Sequence, residues 1–340
     1  VKKMRVLALL HKHLVPPDEA KVEELPAAPW KMEYDVVRTL RDMGHEVLSI
    51  GLDAELSPVR KAMAEFRPHI AFNLLEAFDN VATWDQNVVA YLELCRVPYT
   101  GCNSRGLLLA RDKAIAKQLL TYHRIAIADF AVFPVKRAVR RPKRLSFPLI
   151  VKSATLDASI GISQASVVDS EDKLQERVRF IHESVGTDAI VERYIEGREL
   201  YVGILGNQRL QVLPTWELSF RNLPEESRKI ATERVKWSLT YQKKHGIESD
   251  AATDLDPATS QRIRDVCKRV YRSLLLNGYA RIDLRLTENG QLFVMEANPN
   301  PQLSRDEDFA KSAERIGIAY GVLLQRIMNL GFRWQPERFG

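Results

Sequence analysis

The chain has 340 residues, a formal net charge of +6, 45% apolar residues and 28% charged residues. That length allows one to three domains with real hydrophobic cores, and that balance excludes a disordered or collagen-like chain. No stretch approaches the roughly 18 unbroken apolar residues of a membrane helix, and Cys95, Cys102 and Cys267 are too few and too scattered for a disulfide framework or a Cys-x-x-Cys metal site.

The start, VKKMRVLALLHKH, imitates a signal peptide, but His11, Lys12 and His13 end the apolar run and no small-residue cleavage site follows. A first buried strand is the better reading, in a protein expected in a reducing cytoplasm with buried thiols. The modest positive charge suits a protein that handles nucleotides or acidic substrates, with neither nucleic acid nor membrane as a partner.

Met4–Leu10 reads as an apolar strand, and Trp30–Met43 has helical spacing that stops at Gly44. A strand at Glu46–Ile50, a helix at Glu55–Phe66, a strand at His69–Leu74, a helix at Thr83–Cys95 and a short strand and turn at Val97–Gly101 follow. This alternation predicts a parallel sheet with helices on its faces, closing near residue 110. It carries no Gly-x-Gly-x-x-Gly fingerprint, so dinucleotide binding has no support. The long loop Leu14–Trp30, with acids at Glu19, Glu23 and Glu24, follows the first strand, where open α/β sheets place ligands. Glu76 and Asp79, after the third strand, can contact a substrate or cap the next helix.

Ser104–Leu120 reads as one helix, with Lys117 on its surface. The basic run Lys136–Arg144 is either a contact for an acidic partner or a solvated linker broken at Pro142. The strand Phe147–Lys152 ends in a lysine that is costly to bury without an anionic partner. In the loop Ser153–Ser163, Ser159 and Gly161 can cradle oxygens with backbone and hydroxyl donors. Ala189–Ile195 is a further strand, and Leu200–Leu205 with Arg209–Leu213 forms a hairpin. Phe220–Lys244 shows no clean period and reads as a mobile loop bearing Arg234 and Lys236. Asp254–Asn277 is a helix capped by Asp256 with Pro257 at its first position. A last amphipathic helix spans Phe309–Leu330.

Between these two helices lies Tyr279–Pro301, YARIDLRLTENGQLFVMEANPNP. It reads as two strands joined by Asn289-Gly290 in a two-residue type I′ turn. With Glu288 opposite Gln291, that register sets Asp283 across from Glu296 and Arg281 across from Asn298. Ala280, Ile282, Leu284 and Leu286 then share the core face with Phe293, Met295 and Ala297. Facing carboxylates repel unless a cation lies between them. Two acids and an amide oxygen suit Mg²⁺ better than zinc or copper.

Arg-x-Asp followed by Glu-x-Asn resembles the metal-binding end of ATP-grasp enzymes, in the D-alanine–D-alanine ligase-like branch. The resemblance implies an α/β chain, α+β in its ATP-binding half. The ATP-grasp fold would carry an N-terminal parallel-sheet domain over 1–110, a central lid subdomain over 111–197 and a C-terminal domain over 198–340. It implies two Mg²⁺ ions, with Mn²⁺ as an alternative, on Asp283, Glu296 and Asn298. Lys113, Lys152 and Lys236 would contact the phosphates under the flap of Ser159 and Gly161. Glu192 would accept from the adenine amino group, the backbone of Arg193, Tyr194 and Ile195 would meet the ring edge, Met295 would lie beside the nucleotide, and Glu199 would hold the ribose. Arg281, Lys236 and Ser159 would be catalytic, with Arg281 stabilising the tetrahedral intermediate.

The implied activity is ATP-dependent amide or peptide bond formation through an acyl phosphate, on small amino-acid or peptide substrates, with a homodimer left open. A kinase without ligation and a non-catalytic nucleotide-binding partner protein are the alternatives. Several family features are missing. The Gly-rich substrate loop is absent, Asn73–Asn80 replaces a His-Gly…Glu-Asp-Gly run, Asp157 stands where a glycine is usual, and Trp237 stands where D-alanine ligases have tyrosine. The segment Arg305-Asp306-Glu307-Asp308 is more charged than a D-alanine pocket requires. Its acids, Asp306, Glu307 and Asp308, either meet a substrate amine or guanidinium or cap the last helix.

Overall fold

The apolar run near the N-terminus forms β1 (Arg5–His11), whose five central residues are fully buried. The computed structural model describes residues 2–20, 28–156, 159–224 and 227–336, so Glu23, Glu24 and Asp157 lie outside the described residues. After β1 come α1 (Lys31–Asp42), β2 (Glu46–Leu52), α2 (Ser57–Glu65) and β3 (Ile70–Asn73). The three strands pair in parallel in the order β2-β1-β3, as the alternation predicts. Tyr99 adds only an isolated bridge to Ala71.

Three helices follow: α3 (Asp85–Leu94), α4 (Ser104–Arg111) and α5 (Lys113–Tyr122). The expected single helix over Ser104–Leu120 is broken at Asp112, whose extended backbone lets its carboxylate accept from the Ala114 and Ile115 amides at 2.9 Å. An N-cap therefore interrupts what periodicity alone reads as continuous.

Next come β4 (Phe130–Phe133), β5 (Leu149–Ser153), β6 (Val167–Val168), α6 (Glu171–Phe180) and β7 (Ala189–Arg193), forming an antiparallel sheet in the order β4-β7-β5-β6. The basic run before β5 has neither helix nor strand; Arg141 pairs with Glu171, and Arg144 donates to the Phe130 carbonyl.

The C-terminal part holds β8 (Arg198–Leu205), β9 (Gln211–Phe220), α7 (Glu233–Trp237), α8 (Leu239–His245), β10 (Ile247–Ala251), α9 (Pro257–Ser273), β11 (Tyr279–Leu286) and β12 (Leu292–Pro299). Its sheet runs β10-β9-β8-β11-β12. The expected loop Phe220–Lys244 in fact carries two short helices capped by Thr232 and Ser238. Asp256 caps α9 as expected, accepting from Thr259 N–H at 2.9 Å. The expected final helix is two, α10 (Asp308–Glu314) and α11 (Tyr320–Arg333), parted around Gly317 at φ +77°.

One apolar cluster runs from Leu7 and Leu9 of β1 through α3, α4 and α5 to α9 and the inner faces of β8, β11 and β12. A second joins the other face of β1 to α1, α11 and Tyr279. The first and last sheets are thus held together by shared cores, while the middle sheet packs a separate one. Cys102 and Cys267 are buried, but Cys95 at the end of α3 is exposed, against expectation. No helix among the described residues is long and apolar enough to cross a membrane.

Candidate active site

The site begins with the β11–β12 hairpin, whose turn differs from expectation. The Thr287 amide donates to the Gln291 carbonyl and the Gly290 amide to the Thr287 carbonyl, both at 2.9 Å, with Gly290 at φ +78°. The loop is therefore three residues, Glu288–Gly290, with its glycine in the left-handed position. Next to it Leu284 faces Val294 and Leu286 faces Leu292, one residue out of the expected register. A β-bulge beyond Leu284 then absorbs Met295, and the predicted pairs return: Asp283 across from Glu296, Arg281 across from Asn298. Val294 and Leu292 fill the core, while Phe293 and Met295 leave it; Met295 instead lines the adjoining cleft.

Arg281 forks Asp283, with Nε at 2.7 Å from Oδ1 and a terminal nitrogen at 2.8 Å from Oδ2, and stacks 4.7 Å from the Tyr201 ring centroid. Burial, with Glu296 adding to it, pushes the Asp283 carboxyl above the ordinary aspartate range despite this fork. A cation between Asp283 and Glu296 would relieve both. The Asn298 Nδ2 is buried without a partner among the described residues. No group of three or more His, Cys, Asp or Glu side chains able to hold a metal gathers among the described residues. The donor set is thus two carboxylates and an amide oxygen, which fits Mg²⁺ only if phosphates and water complete the shell.

Beside the hairpin lies a cleft lined by residues of β5, β8, β11, β12, α5 and α7. Apolar walls from Ile150, Ile162, Ile195, Ile230 and Leu284 meet polar groups from three directions. Among the residues singled out from sequence, Lys113, Lys152, Ser159, Tyr194, Ile195, Glu199, Lys236, Asp283, Met295 and Glu296 line it. Arg193, Gly161 and Glu192 do not: Arg193 turns its guanidinium over the Phe293 ring, the Gly161 carbonyl accepts from Arg177, and Glu192 is fully buried behind the lining. Arg281 and Asn298 stand on the hairpin outside this cleft lining.

Ser159 Oγ donates to the Ala231 carbonyl at 2.6 Å, tying the flap to the segment before α7. Lys113 donates to the Leu156 carbonyl at 2.8 Å and lies 3.8 Å from Glu296. Glu199 accepts from Tyr201 at 2.8 Å and from Arg285 at 2.6 Å.

Lys117 is the residue that sequence reasoning misplaced. Expected on the surface, it is 2% exposed, lies 3.3 Å from Glu192 and donates to the Met295 carbonyl at 3.1 Å. Lys152 reaches the same Glu192 oxygen at 3.4 Å. Burial works against ionising Glu192, but the two lysines hold its carboxyl below the ordinary glutamate range. Its other oxygen, Oε1, is buried with no partner among the described residues, an acceptor waiting for a donor. The signal was available: Lys113, Ala116, Lys117 and Leu120 follow the i, i+3, i+4, i+7 spacing of a buried helical stripe.

Of the remaining candidates, Glu307 and Asp308 lie near enough to Arg281 to interact with its charge, while Asp79, Asp306 and Glu76 stand apart from it. Asp79 sits in the exposed turn Phe78–Val81, its amide bonded to the Asp53 carbonyl. Asp306 pairs with Lys31 at 2.7 Å, Asp308 accepts from Ser249 at 2.6 Å, and Glu307 occupies the N-cap of α10 without a side-chain cap bond. Glu76 is exposed just beyond β3.

A parallel sheet, followed by two antiparallel sheets that share a lysine-lined cleft with an acid-bearing hairpin at its edge, makes this an ATP-grasp fold. Solved structures agree: D-alanine–D-alanine ligase from Bacillus anthracis complexed with ATP superposes with a TM-score of 0.74 at 21% identity, covering 97% of this chain and 98% of that one. The VanG D-Ala:D-Ser ligase from Enterococcus faecalis gives 0.69 at 16% identity, covering 97% and 100%. The family described as D-ala D-ala ligase C-terminus matches residues 119–329. An uncharacterized protein, y4sG, of Sinorhizobium fredii is 32% identical over 320 residues, covering 91% of this chain and 90% of its own. D-alanine–D-alanine ligase from Desulfotalea psychrophila is 30% identical over 264 residues, covering 75% and 77%. The chain belongs to the D-alanine–D-alanine ligase-like family of ATP-grasp enzymes, which are ATP-dependent carbon–nitrogen ligases.

Proposed function

We propose that this protein joins a carboxylate to an amine at the expense of ATP, on amino-acid or peptide substrates other than D-alanine. The carboxylate is activated as an acyl phosphate, and the amine displaces phosphate, leaving ADP, phosphate and an amide. The observation that carries the reading is the facing pair Asp283 and Glu296 at the end of a cleft lined by Lys113, Lys152 and Lys236.

Asp283, Glu296 and Asn298 are the residues that would hold Mg²⁺, which would neutralise phosphate charge when bound. The three lysines carry further positive charge to the phosphates, and the reaction then depends mainly on positioning. Glu192 Oε1 suits the amino group of a purine, and Tyr194 and Ile195 flank it with backbone groups. Glu199 suits the ribose hydroxyls. Arg281, which forks Asp283 beside the cleft, is the residue whose guanidinium would stabilise the oxyanion developing at the reacting carbonyl. The three sheets fall one each within 1–110, 111–197 and 198–340, which supports that domain division. The absent Gly-rich loop and the Asn73–Asn80 replacement argue for a substrate other than D-alanine.

Mass spectrometry of reactions containing ATP, Mg²⁺ and pairs of amino acids tests the reading. Equal amounts of ADP, phosphate and a new amide are expected from at least one pair. A phosphorylated product formed without any need for an amine would replace ligation with simple phosphoryl transfer.

A further inference from the structure

The basic run 136–144 supplies no residue to the lining of the nucleotide cleft. It begins just after β4 ends, and its last residue, Arg144, returns to the start of that strand, donating to the Phe130 carbonyl at 2.9 Å. Lys136, Arg137, Arg140 and Lys143 are exposed, and no ion pair engages any of them among the described residues. Only Arg141 is answered, by Glu171. Like charges held this close repel one another, and an anionic occupant would relieve them.

The strand that the run encloses has an open side. The sheet order is β4-β7-β5-β6, so β4 pairs with β7 on one side and with no strand on the other among the described residues. The Arg193 amide donates to the Asp129 carbonyl at 2.8 Å, and Phe130 stands opposite Glu192. In an antiparallel ladder this makes Ala131 and Phe133 the residues bonded to β7, so Phe130 and Val132 turn their N–H and C=O outward. Arg144 meets the Phe130 carbonyl on that outward side. Val132 beside it is 37% exposed. Edge strands are commonly closed by a lysine, a proline or a bulge within the strand, and Phe-Ala-Val-Phe contains none of these.

A groove follows this edge. Its walls are the end of α5, at Gln118 and Thr121, the connecting residues 124–129, and β4 with Arg144. The connection is held extended from below, where the Val294 amide donates to the Ala126 carbonyl at 2.9 Å and Ile127 bridges Val294. Arg124 marks the α5 side, joined by Arg269, whose guanidinium donates to the His123 carbonyl at 2.8 Å. Arg144 marks the β4 side, and Asp129 is the one acid in the lining. The groove and the nucleotide cleft share no lining residue.

We propose that this edge docks an acidic, extended segment of a partner protein, which adds a strand beside β4 and lays its carboxylates on Arg124, Arg144 and the exposed basic side chains of 136–144. Bonds to the outward N–H and C=O of Val132 hold an extended chain whatever its sequence, and charge then selects an acidic one. The same charges turn away a second copy of this edge, which is equally basic. A nucleic acid or an anionic membrane would answer the charge but leave the strand edge unused.

Fluorescence anisotropy with the full chain tests this. The probe is a labelled peptide of about eight residues alternating glutamate with valine, long enough to span β4. Two controls replace its glutamates by glutamine, or its central valine by proline, which keeps the charge but breaks the ladder. Oligothymidylate of equal charge and phosphatidylglycerol vesicles are the other arms. The acidic strand is expected to bind about tenfold more tightly than either control peptide. Its binding is expected to slow hydrogen exchange at the Val132 amide. Arg124→Glu with Arg144→Glu should erase the preference, and Arg140→Glu with Lys143→Glu should reduce it. Binding of a non-hydrolysable ATP analogue, measured alongside, reports whether each variant keeps its fold. No binding of the acidic peptide, equal binding of either control, or tighter binding of oligothymidylate or vesicles would each overturn the proposal. So would a preference that survives in both folded variants.

Discussion

Replacing Glu33 by Gln keeps size and shape but removes the ionisable group, and the effect on stability follows from its burial. Glu33, in the first turn of α1, is 1% exposed, and neither of its carboxylate oxygens has a hydrogen-bond partner among the described residues. A carboxyl pushed up to about 8 in the folded chain, against an ordinary value near 4.5, takes up a proton on folding between those two pH values. Since the folded-state value is raised, stability is highest below the unfolded value and falls as pH rises through the window from about 4.5 to 8. Between pH 5 and pH 8 the loss comes to about 3.5 kcal/mol at roughly 1.4 kcal/mol per pH unit. For a chain of this length, at about 2 cal/mol/K of unfolding entropy per residue, that corresponds to about 5 °C. Thermal melts of wild type and Glu33→Gln should therefore nearly coincide at pH 5, while at pH 8 the variant should melt about 5 °C higher. Equal melting temperatures at pH 8, or a variant less stable there, would refute the account of Glu33 as a buried, unanswered acid.

Glu192→Gln breaks a fully buried cluster and strands Lys117, so a loss of about 3–5 kcal/mol is expected from urea unfolding. Lys117→Met combined with Glu192→Leu should lose less than the sum of its two single changes, because Lys117 is then no longer left as a buried charge without its partner. Gly278→Ala should be severe, since φ is +69° and the added Cβ would stand 2.4 Å from the Gly101 carbonyl oxygen. Gly290→Ala, at φ +78° with nothing within 4 Å, should cost only about 1 kcal/mol, and comparing the two melting temperatures separates steric from conformational cost.

The acids of the hairpin were legible for a reason that turned out incomplete. Asn289-Gly290 signalled a tight turn, and the glycine does take the left-handed position, but Glu288 joins the loop and slips the register. Met295 bulges out and returns it, so two departures from the simple pattern cancel before Asp283 and Glu296. Local propensity cannot place a bulge, because the bulge answers to three-dimensional partners: the Met295 carbonyl accepts from Lys117, 178 residues earlier in the chain. The parallel sheet and α9 were legible because their patterns are long and their caps explicit. The breaks at Asp112 and Gly317 were hidden by unbroken apolar spacing. Glu33 and Lys117 share one lesson: a charged residue on the buried stripe of an amphipathic helix has a partner elsewhere in the fold or awaits a ligand.

The central claim is that Asp283 and Glu296 jointly hold a divalent ion against a nucleotide in the adjoining cleft. It is tested most directly by titrating a non-hydrolysable ATP analogue into wild type and into Asp283→Asn with Glu296→Gln, with and without Mg²⁺. The wild type should bind at least about tenfold more tightly when Mg²⁺ is present, while the double variant should show no dependence on the ion. The same Mg²⁺ effect in both proteins, or none in either, would contradict it.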